Sequence, residues 1–234
     1  MMPIFGQADR NGAPPWPAPA AFPTAKMRPA APATGSHESF FFRHPKQFHA
    51  LRSVVVPDLI LQRRETRALS FWSAASSSGQ EAYSLAMMLL EMRLGGWKIK
   101  IKGADSSSQM TARARAGKYL QIEVNRGLPA ICLLKYFTRD GLDWQLGDEV
   151  LRMVDFKTFD LRRSMSSQGP FDVVFCRNVL MYFDEATKRK VLEQIHGTLF
   201  RGGYLLLGGS EIAPNLAGLF ERVVIGEAVL FQAL

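Results

Sequence analysis

Leu69-Ser70-Phe71-Trp72-Ser73-Ala74-Ala75-Ser76-Ser77-Ser78-Gly79-Gln80-Glu81-Ala82-Tyr83-Ser84-Leu85-Ala86 begins as an apolar run and ends as the opening of an amphipathic helix. Between the two lie only small residues, Ala74 to Gly79. A buried parallel strand passes to a helix in this way when almost no side-chain bulk is wanted at the turn. Small residues there let a ligand approach the backbone, and the helix N-terminus offers free N–H groups. Glu81 sits just inside that helix. A phosphate site rarely places a carboxylate there, whereas a ligand bearing an ammonium group suits one. Taken alone, the stretch reads equally well as an ordinary tight strand–helix turn, so the rest of the chain decides.

The chain has 234 residues, enough for one large domain or a domain with an appendage. Its apolar content of 47% is normal for a globular protein. No run approaches the roughly 18 apolar residues of a membrane span. Near the N-terminus Pro and Ala take the place of the compact apolar segment of a signal peptide. Cys132 and Cys176, both in apolar surroundings, read as buried thiols of a reducing compartment, and a cytoplasmic location is expected. The net charge of +8 favours an acidic partner. The basic residues are scattered, however, and neither a zinc pattern nor an aromatic RNA-binding motif accompanies them, so neither nucleic acid nor membrane insertion is expected. No metal site is expected either.

Residues 1–36 hold eight of the 13 prolines and read as a disordered or polyproline-like tail. In Phe40-Phe41-Phe42-Arg43 the three rings cannot all face one side, so some are core. Arg43 is then held near apolar surface, either paired or snorkelling to solvent. Residues 46–64 read as a helix broken or bent at Pro57. A first strand is expected at 68–74, a helix at 79–93 and a second strand from Lys98 into Asp105. An acid at the end of a second strand is the usual ribose-hydroxyl acceptor of a doubly wound nucleotide site. Asp105 reads so, with capping of the helix near 107–117 as the alternative. Over Tyr119–Thr158 the rhythm stops. Trp144–Leu146 and Val150–Val154, around Gly147-Asp148, alternate like a hairpin, so a small antiparallel insertion is expected at about 138–154. The sheet resumes at Phe171–Cys176, an apolar central strand, after which Arg177 and Asn178 emerge where open α/β sheets bind ligands. A helix from about 184 to 199 and three further strands close the chain.

The stretches Glu38-Ser39-Phe40-Phe41-Phe42-Arg43, Trp72 to Ala86, Phe171 to Asp184 and Gly202-Gly203-Tyr204-Leu205-Leu206-Leu207-Gly208-Gly209-Ser210-Glu211 resemble the CheR-type chemotaxis receptor methyltransferases, over about 37–234. Four ordered motifs at compatible spacing are far more specific than a lone glycine loop. The resemblance implies an α/β fold of the class I S-adenosylmethionine-dependent methyltransferase type. That is a Rossmann-like, seven-stranded, mostly parallel sheet with a reversed last strand and a small antiparallel β-subdomain. It implies S-adenosylmethionine as cofactor and S-adenosylhomocysteine as product. The implied reaction is methyl transfer to glutamate side chains in the cytoplasmic region of chemoreceptors, reached through the β-subdomain, which in some members grips a receptor tail. By matching positions, Glu81 meets the methionine ammonium, Asp105 the ribose, and Asp160 and Leu161 the adenine. Ala75 and Gly79 lie in the turn beneath the cofactor, and His37, Ser39 and Arg43 in the segment closing over it. Arg177, Asn178 and Tyr182 line the methyl-transfer end. Arg43, Arg177 and Tyr182 are the candidates for orienting the acceptor carboxylate.

The sequence departs from the family pattern at several points. Ser39 replaces Thr, Ala82 replaces Pro, and Asp160 replaces Asn, which removes an amide donor near the adenine. A Pro/Ala tail stands where family members carry a helical N-terminal domain. Two rival functions therefore stand beside receptor methylation: methylation of another acid, and a non-catalytic cofactor-binding regulatory module.

Overall fold

The computed structural model describes residues 39–209, 211, 216 and 218–234. The expected tail and His37 lie outside the described residues. Strand β1 (Ala68–Ser73) is followed by α3 (Gln80–Glu91), after the short entry helices α1 (Pro45–Ala50) and α2 (Val56–Gln62). A π-helical turn, Leu51–Val55, joins those two. Pro57 offers no N–H and its ring crowds the preceding turn, so the helix expected over 46–64 widens just before it.

Strands β2 (Lys98–Asp105), β6 (Val154–Thr158), β7 (Phe171–Cys176), β8 (Leu199–Leu207), β9 (Phe220–Ile225) and β10 (Ala228–Ala233) complete a seven-stranded sheet in the order β6-β2-β1-β7-β8-β10-β9. β1 pairs in parallel with β2 and β7, and β8 with β7, whereas β10 runs antiparallel to β8 and β9. This is the class I methyltransferase sheet with its reversed last strand. The central strand β7 is buried along its whole length, as its unbroken apolar run requires. Alternate residues feed two cores. Phe71, Ile101, Val173 and Phe175 pack beneath α3 with Phe41, Phe42 and Phe48, while Trp72, Ala104, Val174 and Cys176 meet Val191, Leu192 and Ile195 of α8 (Glu185–Thr198). Of the three adjacent rings, Phe41 and Phe42 are core and Phe40 is half-buried. Both cysteines are buried free thiols. No helix among the described residues is long and apolar enough to cross a membrane.

The antiparallel insertion expected at about 138–154 is present, but its hairpin spans 137–146 and its remaining strand lies well before it. Its strands are β3 (Lys118–Leu120), β4 (Phe137–Asp140) and β5 (Asp143–Leu146), ordered β3-β5-β4 and antiparallel. The hairpin turns at Gly141, whose φ of 62° suits glycine. Gly147 instead leads into a helical turn, Asp148–Leu151, and Val154–Thr158 belongs to the main sheet beside β2. The 150–154 alternation reflected one buried residue of that turn, Val150, followed by the start of a main-sheet strand. β8 also starts earlier than expected, with Gly202 inside it at φ 78° and the pairing to β7 shifted in register there.

Candidate active site

The carboxyl ends of β1, β2, β6 and β7 surround one cavity of about 500 Å³. Its floor is the turn after β1. Ser76 N donates to Ala104 O (2.8 Å), and Ser77 N donates to Asp105 Oδ2 (2.9 Å). Tyr119 OH clamps the turn from behind by donating to Ser78 O at 2.8 Å. Gly79 begins α3 at φ 94°, and a Cβ there would stand 3.0 Å from the Ala114 Cβ and 3.1 Å from the Phe156 and Tyr83 rings. Glycine is thus required by the backbone and by the packing behind the turn, and Gly79 is not among the residues lining the cavity.

Ser39, Arg43, Ala75, Glu81, Asp105, Asp160, Leu161, Arg177, Asn178 and Tyr182 do line it. Asp105 accepts from Ser77 N and, through Oδ1, from Ser107 N (2.9 Å). The cap of α4 (Ser108–Ala116) is Ser107, so the capping alternative for Asp105 does not apply. Asp160 is turned to Arg162, which donates to both of its oxygens.

At the opposite end Glu81 accepts from Ser73 Oγ (2.7 Å) and stands 3.1 Å from Arg177 Nη1. Burial pushes the Glu81 carboxyl above the usual carboxylate range, opposed by Arg177, Ser73 and Arg43. Arg177 is only 5% exposed, and its Nη2 donates to Arg43 O. Burial lowers its pKa, and Glu81 counters this. The Arg177–Glu81 contact is an ion pair short of hydrogen-bond alignment, so Arg177 Nε and Nη1 have no hydrogen-bond partner among the described residues. His44 is lowered to about 4 by burial first, then by Arg177 and Arg43. Arg177 and Tyr182, expected at one end, differ in depth: Arg177 is buried, whereas Tyr182 is 69% exposed at the rim.

The structure adds a residue that sequence reasoning did not single out. Glu211 Oε2 accepts from Asn178 N (2.8 Å) and Gly208 N (2.7 Å), and its Oε1 from Val179 N and Leu180 N (2.8 Å each). Glu211 closes one of the four motifs, which was the available signal, but its partners are backbone groups that no side-chain pattern marks.

The profile of the family described as CheR methyltransferase, SAM binding domain, matches residues 37–228. The chain belongs to that family. It is 40% identical over 207 residues to chemotaxis protein methyltransferase 1 of Pseudomonas aeruginosa, covering 86% of this chain and 75% of that one. It is 37% identical over 208 residues to the chemotaxis protein methyltransferase of Vibrio parahaemolyticus, covering 87% and 74%. Among solved structures it is similar to a TehB-like SAM-dependent methyltransferase from Corynebacterium glutamicum (TM-score 0.42, 13% identity, 81% of this chain and 94% of that one).

The cofactor of this CheR-family domain is S-adenosylmethionine, and the cavity's chemistry fits it. Ser77 Oγ and Asn178 Oδ1 are buried in its wall with no hydrogen-bond partner among the described residues, and the Arg177 donors are likewise unused. Buried polar atoms left this way imply a polar ligand. A carboxylate beside unused guanidinium donors matches an amino-acid ammonium and carboxylate. Asp105, held by two N–H groups, matches a diol, and Phe159 and Leu161 offer apolar surface for a base.

Proposed function

We propose that this CheR-family domain transfers the methyl group of S-adenosylmethionine to glutamate side chains in the cytoplasmic region of a bacterial chemoreceptor, giving γ-glutamyl methyl esters. The observation that carries this reading is the composition of the cavity wall. Among its described lining residues are three arginines, Arg43, Arg162 and Arg177, and no histidine, lysine or cysteine. His44, just behind, is held neutral at physiological pH. The wall's three carboxylates are engaged, Glu81 with Ser73 and Arg177, Asp105 with two backbone N–H groups and Asp160 with Arg162. This suits an acceptor that is already a nucleophile, and a carboxylate is ionised at neutral pH. Arg162 is paired with Asp160 and Arg177 faces Glu81; Arg43, the third guanidinium of the wall, suits an anionic acceptor.

When bound, S-adenosylmethionine supplies a methyl group activated by the sulfonium charge. The chain's own residues bind and align. Glu81 and Arg177 hold the amino-acid end, and Asp105 holds the ribose. Arg43, in the wall, orients the acceptor carboxylate, and Tyr182 at the rim donates a hydrogen bond to it. Alignment and exclusion of water are then the main sources of rate. The names of the similar proteins, chemotaxis protein methyltransferases, support a chemoreceptor as partner. The β3-β5-β4 sheet is the candidate surface for holding it.

The test is transfer of radiolabelled methyl from S-adenosylmethionine to receptor cytoplasmic fragments. Base-labile label on glutamate is expected, and label on a different acceptor, or cofactor binding without transfer, would overturn the reading. Arg43→Ala should lower kcat by about 30-fold, the value of a charge-assisted hydrogen bond to the acceptor of about 2 kcal/mol. It should leave cofactor affinity within about threefold; an unchanged kcat would remove Arg43 from the mechanism.

A further inference from the structure

We infer that Glu211 is a positioning residue that sets the amino-acid end of the cofactor site through the backbone of the Asn178–Leu180 segment. The inference rests on the cofactor part of the reading above and not on the identity of the acceptor. Asn178 has φ 59°, a left-handed conformation that asparagine tolerates and that turns the chain sharply just past β7. That turn exposes three consecutive N–H groups on one side, and all three donate to the Glu211 carboxylate. The fourth donor, Gly208 N, comes from the end of β8. One carboxylate therefore ties the ends of two neighbouring strands together.

The approach is close enough to fix the residue opposite. A Cβ on Gly208 would stand 2.7 Å from Glu211 Oε2 and 2.8 Å from Asn178 Nδ2. Glycine at 208 makes room for the carboxylate and for the Asn178 amide together. The residues so held are those at one end of the cavity: Asn178 with its unpartnered Oδ1, and Arg177 directly before it with its unused donors. Asp105, at the other end, is held by Ser77 and Ser107 and receives nothing from Glu211. Glu211 therefore acts on one end of the ligand.

Glu211→Gln removes the charge and, in either amide orientation, points an NH2 group at two of the four backbone donors. Calorimetric binding of S-adenosylhomocysteine and of adenosine separates a positioning role from a merely structural one. The expected result is S-adenosylhomocysteine bound at least tenfold more weakly, with adenosine, which lacks the amino-acid end, bound within twofold of wild type. Equal weakening of both, or no weakening of S-adenosylhomocysteine, overturns the inference. If Glu211→Gln does not fold, Glu211→Asp keeps the charge but is one methylene too short to hold both donor pairs. It should weaken S-adenosylhomocysteine at least threefold and spare adenosine, and the same two results would overturn the inference. Failure of methyl transfer to every receptor fragment would defeat the proposed acceptor and leave this binding difference intact.

Discussion

Replacing Glu81 by Gln separates the two roles of that carboxylate. The substitution keeps an oxygen for the Ser73 hydroxyl, now at 2.7 Å, and removes the negative charge 3.1 Å from Arg177. Arg177 is then a buried cation with no counter-charge in contact. The raised Glu81 pKa means that burial outweighs the pair, so Glu81→Gln, neutral like the protonated acid, should leave stability at neutral pH no lower than wild type. The lost contact to the cofactor ammonium is a charge-assisted one of about 2 kcal/mol, or roughly 30-fold in affinity. Urea unfolding reads the first effect, and titration calorimetry with S-adenosylhomocysteine reads the second. The pH dependence supplies a sharper check. Only the ionised carboxylate attracts an ammonium, so wild-type affinity falls as pH drops through the raised Glu81 pKa. His44, at about 4, stays neutral over most of that range. The stability contribution has the opposite sign. A carboxyl raised by burial favours the fold while protonated, and that contribution is lost as pH rises through its folded pKa. Glu81→Gln should show neither slope. An affinity within threefold of wild type, or an acid limb that persists in the variant, would refute the assignment of Glu81 to the ammonium.

Other expected outcomes probe the frame around the site. Gly79→Ala forces a Cβ into a left-handed backbone position between Ala114, Phe156 and Tyr83, and should destabilise the fold by more than about 1 kcal/mol in urea unfolding. Asp172 lies at the far end of β7, buried, accepting from Arg63 Nε (2.8 Å) and Ser70 N (2.8 Å). Asp172→Ala should cost about 3 kcal/mol by the same measurement while S-adenosylhomocysteine affinity stays within twofold. A matching loss of affinity would show that the two ends of the sheet are coupled.

What was legible in the sequence follows from how each feature is encoded. The parallel strands read directly, because burial on both faces makes them short apolar runs such as Val173–Cys176. The turn from Ala74 to Gly79 read because steric room leaves a trace in residue size. The accessory sheet is found in the expected region, but its hairpin turn differs because Gly147-Asp148 and Gly141-Leu142 carry similar turn chemistry, and only pairing with Lys118–Leu120, distant in sequence, decides between them. Gly79 was read as a ligand contact because φ and packing demand glycine as strongly as a ligand does. The place of Arg177 at the end of a central strand reads from the sequence, but its burial depends on Glu81 and Arg43 O, neither adjacent in sequence. Glu211 was passed over because a side chain that binds main chain pairs with no partner residue type.

The small sheet has a further consequence. Its first and last strands begin and end side by side, with Lys118 opposite Gln145, so the whole excursion leaves and re-enters the domain through one narrow neck. Segments with adjoining ends can be exchanged between related chains with little cost in loop closure. This one is exchangeable only with two of its anchors kept. Tyr119 reaches Ser78 in the turn beneath the cavity, and Phe137 packs edge-on against Phe41, 5.7 Å between ring centres. A transplanted sheet that kept those two rings would carry its own outer surface to a new host and leave the methyl-transfer chamber as it found it.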